Sequence, residues 1–224
     1  IHSPNGSTLE REGLPYRDVY VPFHSRLPRR GAMIKEIDSI QRNTCYKAIG
    51  VFLGIVMRTG IYQEIPFAPI VWKMIAGERI VKKDVLEIDE RLNDFFAKLQ
   101  RAANNKDKSI FEEQYNSRTN RLLWTCENWD GTLVKVENPT KSSSVRREDV
   151  NIYITNCIKK RIEILYSSIV HIRNGMCQNI GLTRHQFMTG KIISFLCQGS
   201  NIITTDQLKD FFVFTSEVQS KIGP

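Results

Sequence analysis

Cysteine is the first residue type to weigh, because thiolates carry both nucleophilic and metal chemistry. The chain holds five: Cys45, Cys126, Cys157, Cys177 and Cys197. A nucleophilic thiol needs access, a lowered pKa and a base within reach. Cys126 precedes Glu127, and Cys177 follows His171 by a spacing that does not put both on one helical face. Neither falls at the start of a predicted helix. Cys45, Cys157 and Cys197 sit among apolar residues and read as packed, reduced thiols. Cys126 and Cys177 read as the more exposed pair, one in a hairpin and one just past a helix. No residue is assigned a catalytic role. An odd cysteine count without C-x-x-C spacing argues against a disulfide framework and against zinc.

Other reactive constellations are equally sparse. His2, His24, His171 and His185 are isolated, and none has a second histidine at i+4, so no metal is expected. No glycine-rich phosphate loop is present, so no cofactor is expected either. Asp89-Glu90 and Glu112-Glu113 have the pattern of solvated helix faces. What remains is recognition. Trp124 and Trp129 bracket an Asp130-Gly131 turn, a strong hairpin signal. Alternation cannot bury every aromatic beside so tight a turn, which predicts that one tryptophan is exposed as an anchor. The competing reading is that both cap the hairpin onto helices.

The elements that would position these residues are mostly helical. Residues 1–39 read as irregular chain punctuated by Pro4, Pro15, Pro22 and Pro28, with Val19-Tyr20-Val21 as a short strand. Periodicity predicts helices over Gln41–Arg58, Ala68–Ala76, Asp89–Arg101, Glu148–Arg173 and His185–Cys197, with a helical turn at Lys82–Ile88. Gly60, Gly77, Gly175 and Gly199 stand where helices end. Ile110–Tyr115 is ambiguous. Leu122–Thr125 and Thr132–Val136 read as the hairpin strands, and Asn201–Phe212 as a last short element. Gly50 and Gly54 share one face of the first long helix, a spacing that predicts close backbone approach at a helix crossing. The fold class expected is α+β, predominantly helical. The chain divides into a larger subdomain over 1–105, a smaller one over 106–214, and a tail over 215–224.

The net charge is +8, from 32 Lys and Arg against 24 Asp and Glu. The basic residues are scattered without interleaved aromatics, which argues against nucleic acid as a partner. The longest apolar run, Ala48–Met57, is far short of the roughly 20 residues of a membrane span. No secretory signal is apparent, and a cytoplasmic location, also nuclear, is expected.

Four segments together resemble the amino-terminal lobe of HECT-type ubiquitin ligases. The most specific is Tyr46-Lys47-Ala48-Ile49-Gly50-Val51-Phe52-Leu53-Gly54-Ile55, continued by Arg58-Thr59-Gly60, Ile65-Pro66-Phe67-Ala68-Pro69 and Val71-Trp72-Lys73. It is similar to the version in large ligases that carry regulator-of-chromosome-condensation repeats. Pro4-Asn5-Gly6 with Tyr20-Val21-Pro22 precedes it. Leu122–Val136 with Val145, Glu148 and Tyr153 resembles the hairpin of a smaller subdomain. Gly175, Phe187-Met188-Thr189-Gly190 and Leu196-Cys197-Gln198-Gly199 with Leu208 resemble the last helices before a hinge. The chain departs from the family at Met176, where a Phe is usual, and at Lys191–Ser194, where a Glu is usual.

The resemblance implies a ubiquitin transferase whose nucleophilic cysteine lies in a separate carboxy-terminal lobe. This chain then reads as part of the amino-terminal lobe, truncated at both ends and inactive alone. It implies docking of a ubiquitin-conjugating enzyme, with ubiquitin and protein substrates as further partners reached through other regions. The groove residues expected for that enzyme are Trp129, Leu133 and Met176, with Trp124 in support. The rival reading is a helical interaction module unrelated to ubiquitin.

Overall fold

The computed structural model describes residues 3, 18–22, 33–180 and 188–199. Two long helices form its axis: α1 (Met33–Thr59) and α6 (Val150–Ile180). Their contact is backbone on backbone. A Cβ added at Gly50 would lie 1.8 Å from the Ile172 carbonyl oxygen, and one at Gly175 would lie 2.0 Å from that of Lys47. Gly54 faces Asn179, whose Nδ2 donates to the Val51 carbonyl at 3.1 Å. The contacts advance in the same direction along both helices, so the two run in the same sense. Leu53, Val56, Leu165, Ile169, Ile172 and Met176 are buried around the crossing. Each such side chain contributes roughly 1.5–3 kcal/mol on burial.

This crossing corrects two sequence expectations. Gly175 does not end the long helix, which continues to Ile180. Its missing side chain is required by the approach of α1 rather than by a left-handed turn. The first helix also begins earlier, at Met33, because the run after Gly31 contains neither Pro nor Gly until position 50.

Shorter helices pack around this pair. Helix α2 (Pro69–Ala76) starts with proline in its first turn, and Gly77 ends it at φ 81°. Helices α3 (Lys82–Leu86), α4 (Glu90–Asn104) and α5 (Lys108–Tyr115) follow. The ambiguous stretch near residue 110 is therefore helical, capped by Asp107, whose side chain accepts from Ser109 N at 2.9 Å. The last described helix, α7 (Gly190–Gln198), is capped by Thr189 and lies against α2, where a Cβ at Gly190 would meet Lys73 N at 2.4 Å. The predicted start of this helix at His185 and the element over Asn201–Phe212 lie outside the described residues. Tyr20 forms a bridge with Phe67 through Tyr20 N to Pro66 O (2.6 Å) and Ala68 N to Tyr20 O (2.9 Å).

The hairpin consists of β1 (Thr125–Glu127) and β2 (Leu133–Lys135), antiparallel with Cys126 opposite Val134. Its first strand begins later than the sequence suggests. Leu122 instead joins two loops, donating to Tyr115 O at 2.7 Å and accepting from Val145 N at 2.8 Å. A tight Thr125 N to Leu123 O bond of 2.7 Å then bends the chain before pairing starts. The turn is built as expected: Gly131 has φ 80°, and Asp130 Oδ1 accepts from Thr132 N at 3.0 Å and Thr132 Oγ1 at 2.6 Å.

Candidate functional site

The hairpin is seated on one stripe of α6. Tyr153, Cys157 and Arg161 recur every four residues, so they share a face. The Tyr153 hydroxyl donates to Thr125 O at 2.7 Å. Trp124 meets the Tyr153 ring edge-on, with centroids 6.0 Å apart. Further along, Trp129 Nε1 donates to Arg161 O at 3.1 Å. The Arg161 guanidinium lies 4.5 Å over the Trp129 ring, donates to Asn128 O at 3.0 Å, and pairs with the Asp89 carboxylate. Asp89 also caps α4, accepting from Leu92 N at 3.0 Å. One buried cation therefore ties together the α4 start, the hairpin turn and α6. At the outer end Asn156 Nδ2 donates to Glu137 O at 3.0 Å.

Between the two clamps, the buried Cys126 and Cys157 thiols are in hydrogen-bond contact. That bond, with the positive charge of Arg161 and Lys160, holds the Cys126 thiol below its usual range despite burial. It pushes Cys157 up, as burial does too. Burial also raises the Tyr153 hydroxyl and takes the Cys197 thiol up to about 12. The half-buried Cys177 is raised by desolvation. Two thiol expectations are corrected here. Cys45 is exposed, because it precedes Tyr46, which takes the inward position on α1. Cys126 is buried, because it occupies the inward position of β1.

The structure divides the predicted groove residues. Trp124 and Trp129 are 6% and 3% exposed, so neither is the exposed anchor expected beside the turn. Both indoles cap the hairpin onto α6, where burial is most favourable for such large side chains. Met176 is fully buried at the α1 crossing. It lies about 18 Å along α6 from Ile164, which lines the surface near the hairpin. Leu133 alone faces outward, at 73% exposure. It overhangs an open groove of about 570 Å³ lined by Arg42, Lys160, Ile164 and His171 among others. Arg161 and Asn128 were missed by sequence reasoning, and Asp89, expected on a solvated helix face, is instead buried as the α4 cap and the partner of Arg161. Arg161 could have been found: it falls inside the apolar stripe of α6, four residues before Leu165, where a charge needs a buried partner.

The family model described as HECT-domain (ubiquitin-transferase) matches residues 14–222. The chain belongs to the HECT-domain family. It is 24% identical over 167 residues to the human E3 ubiquitin-protein ligase HERC2, covering 75% of this chain and 3% of that protein. The mouse E3 ubiquitin-protein ligase HERC2 is 24% identical over 164 residues, covering 73% and 3%. The chain thus spans about 3% of the length of the curated relatives it matches. Among the described residues, this HECT-family chain has no cluster able to hold a metal ion and no helix long and apolar enough to cross a membrane.

Proposed function

We propose that this chain is the docking scaffold of a HECT-type E3 ubiquitin transferase. It receives the ubiquitin-charged conjugating enzyme on the hairpin face. A cysteine in a carboxy-terminal lobe accepts ubiquitin by transthiolation and passes it to a substrate lysine. The observation that carries this reading is Leu133: a large apolar side chain, 73% exposed, on a hairpin held rigid by a buried network. Exposed apolar side chains on rigid supports are efficient interface anchors, because little ordering entropy is lost on binding. The odd cysteine count without C-x-x-C spacing suits a reducing setting, in cytoplasm and also in the nucleus.

The test is calorimetric titration of the chain with a panel of conjugating enzymes, repeated with Leu133→Asp. At least one enzyme should bind, and the variant should bind it roughly tenfold more weakly, a loss of about 1.4 kcal/mol. Binding by none of the panel, or binding untouched by Leu133→Asp, contradicts this reading.

A further inference from the structure

We propose that the groove beneath Leu133 takes an acidic, extended polypeptide segment whose carboxylates are spaced to meet separate basic side chains. The inference rests on the docking reading for the choice of face, and adds the chemistry that the face would recognise.

The groove has two walls. One is a stripe of α6 carrying Lys160, Ile164 and His171, and the other is the start of α1 with Arg42. Arg42 stands one turn before Tyr46, whose hydroxyl hydrogen-bonds Ser168, so the α1 wall stands opposite the middle of the stripe. Arg42 and His171 are half-buried, and neither has an ion-pair partner among the described residues. Among the described residues, the one ion pair of Lys160 is an i,i+3 contact with Glu163 at 3.5 Å, at 38% and 50% exposure. Such a surface pair is weak and exchanges readily for a better acceptor. The one carboxylate in the lining, Asp130, already accepts two bonds from Thr132.

Spacing selects the class of ligand. Lys160 and His171 are about 16 Å apart along α6 at 1.5 Å per residue. A single phosphate or carboxylate cannot bridge that length. An extended peptide covers it in about five steps of roughly 3.3 Å, so its end residues are about five positions apart. The midpoint of the stripe is Ile164, with Leu133 at the rim, so an apolar side chain fits between two acidic ends. The site therefore matches a segment with carboxylates at both ends and an apolar residue within. A compact anion would leave most of these groups unused.

The experiment uses the whole chain and fluorescence anisotropy of a labelled probe, Glu-Ser-Leu-Gly-Ser-Glu, against the uncharged control Gln-Ser-Leu-Gly-Ser-Gln. The acidic probe should bind about tenfold more tightly than the control, and more weakly as salt rises. Arg42→Gln with Lys160→Gln should remove that preference while leaving the thermal midpoint unchanged, since both side chains reach solvent. Pyrophosphate at matched ionic strength should not displace the probe. The proposal is overturned if the two probes bind alike, if neither binds, if the double variant keeps the preference, or if pyrophosphate displaces the probe. It is also overturned if the chain instead self-associates through these side chains, as sedimentation would show. The charge variant is then titrated with a conjugating enzyme that binds the wild type. A bound enzyme indifferent to the charge variant would sink this inference and leave the docking reading standing. Acidic-probe binding without any enzyme binding would do the reverse.

Discussion

Helix α6 is used twice, and the two seats are built from opposite chemistry. Toward its carboxy-terminal end it meets α1 through glycines, with buried aliphatic side chains around them. Toward its start it carries the hairpin through tyrosine, tryptophan, paired thiols and a buried arginine. The first seat is specified by shape, since nothing larger than hydrogen fits at Gly50 or Gly175. The second is specified by polar partners that must all be present, because an unpaired charge in that position is costly. Shape suits an interface that only has to hold. The polar seat fixes the orientation of a short hairpin whose own pairing, three residues a strand, is too small to be stable alone.

The largest expected effect is at the glycine crossing. Gly175→Val places side-chain atoms where the Lys47 carbonyl stands. The cost is roughly 4 kcal/mol, a large share of a typical domain's stability. Thermal unfolding should show the transition lost or shifted far down. A melt near wild type would mean the two helices can separate cheaply.

Next is the arginine seat. Arg161→Met leaves Asp89 buried without its cation and should cost roughly 3 kcal/mol. Asp89→Asn keeps the α4 cap while removing the charge. The double variant should therefore recover about half of that loss in urea denaturation. Strict additivity of the two losses would show that the ion pair is not what ties the seat together.

These two seats also differ in how much of each was legible. Gly50 and Gly54 announce the α1 face through spacing alone. Their partner Gly175 reads as a helix end, because a glycine near an expected terminus has the same local signature as one at a crossing. The hairpin turn was legible from Asp130-Gly131, whose backbone demands are local. The seat beneath it was not, since Asp89 and Arg161 are far apart in sequence and only the fold brings them together. Strand periodicity also could not show that both tryptophans turn inward. That requires knowing that α6 lies beneath the hairpin. The family, by contrast, was recognisable from the segment around Tyr46–Ile55.

The thiols give a smaller effect with a clear order. Cys45 is exposed, whereas Cys126, Cys157 and Cys197 are buried. Under native conditions, a maleimide should label Cys45 first and Cys177 next. The other three should react only as the fold opens. Mass spectrometry of partially labelled chain reads this order directly. Early labelling of Cys126 would mean that the hairpin lifts from α6 far more easily than its contacts suggest.

The smallest structural effect should come from Leu133→Asp. Its unfolding free energy should match wild type within about 0.5 kcal/mol, because the side chain is exposed and lies outside the core. A clear destabilisation would assign Leu133 to the fold and weaken its reading as an anchor.

The proposed role is that this chain docks a ubiquitin donor without performing the transfer. Incubation with ubiquitin, activating enzyme, ATP and a conjugating enzyme that binds the chain tests it most directly, read on non-reducing gels. The accessible thiols sit on α1 and late in α6, while the hairpin thiols are buried beneath the proposed docking face. Transthiolation needs an accessible thiolate held at bonding distance from the donor thioester. The account predicts a charged conjugating enzyme and no reductant-sensitive ubiquitin adduct on this chain. An adduct that disappears in Cys45→Ser or Cys177→Ser would contradict it.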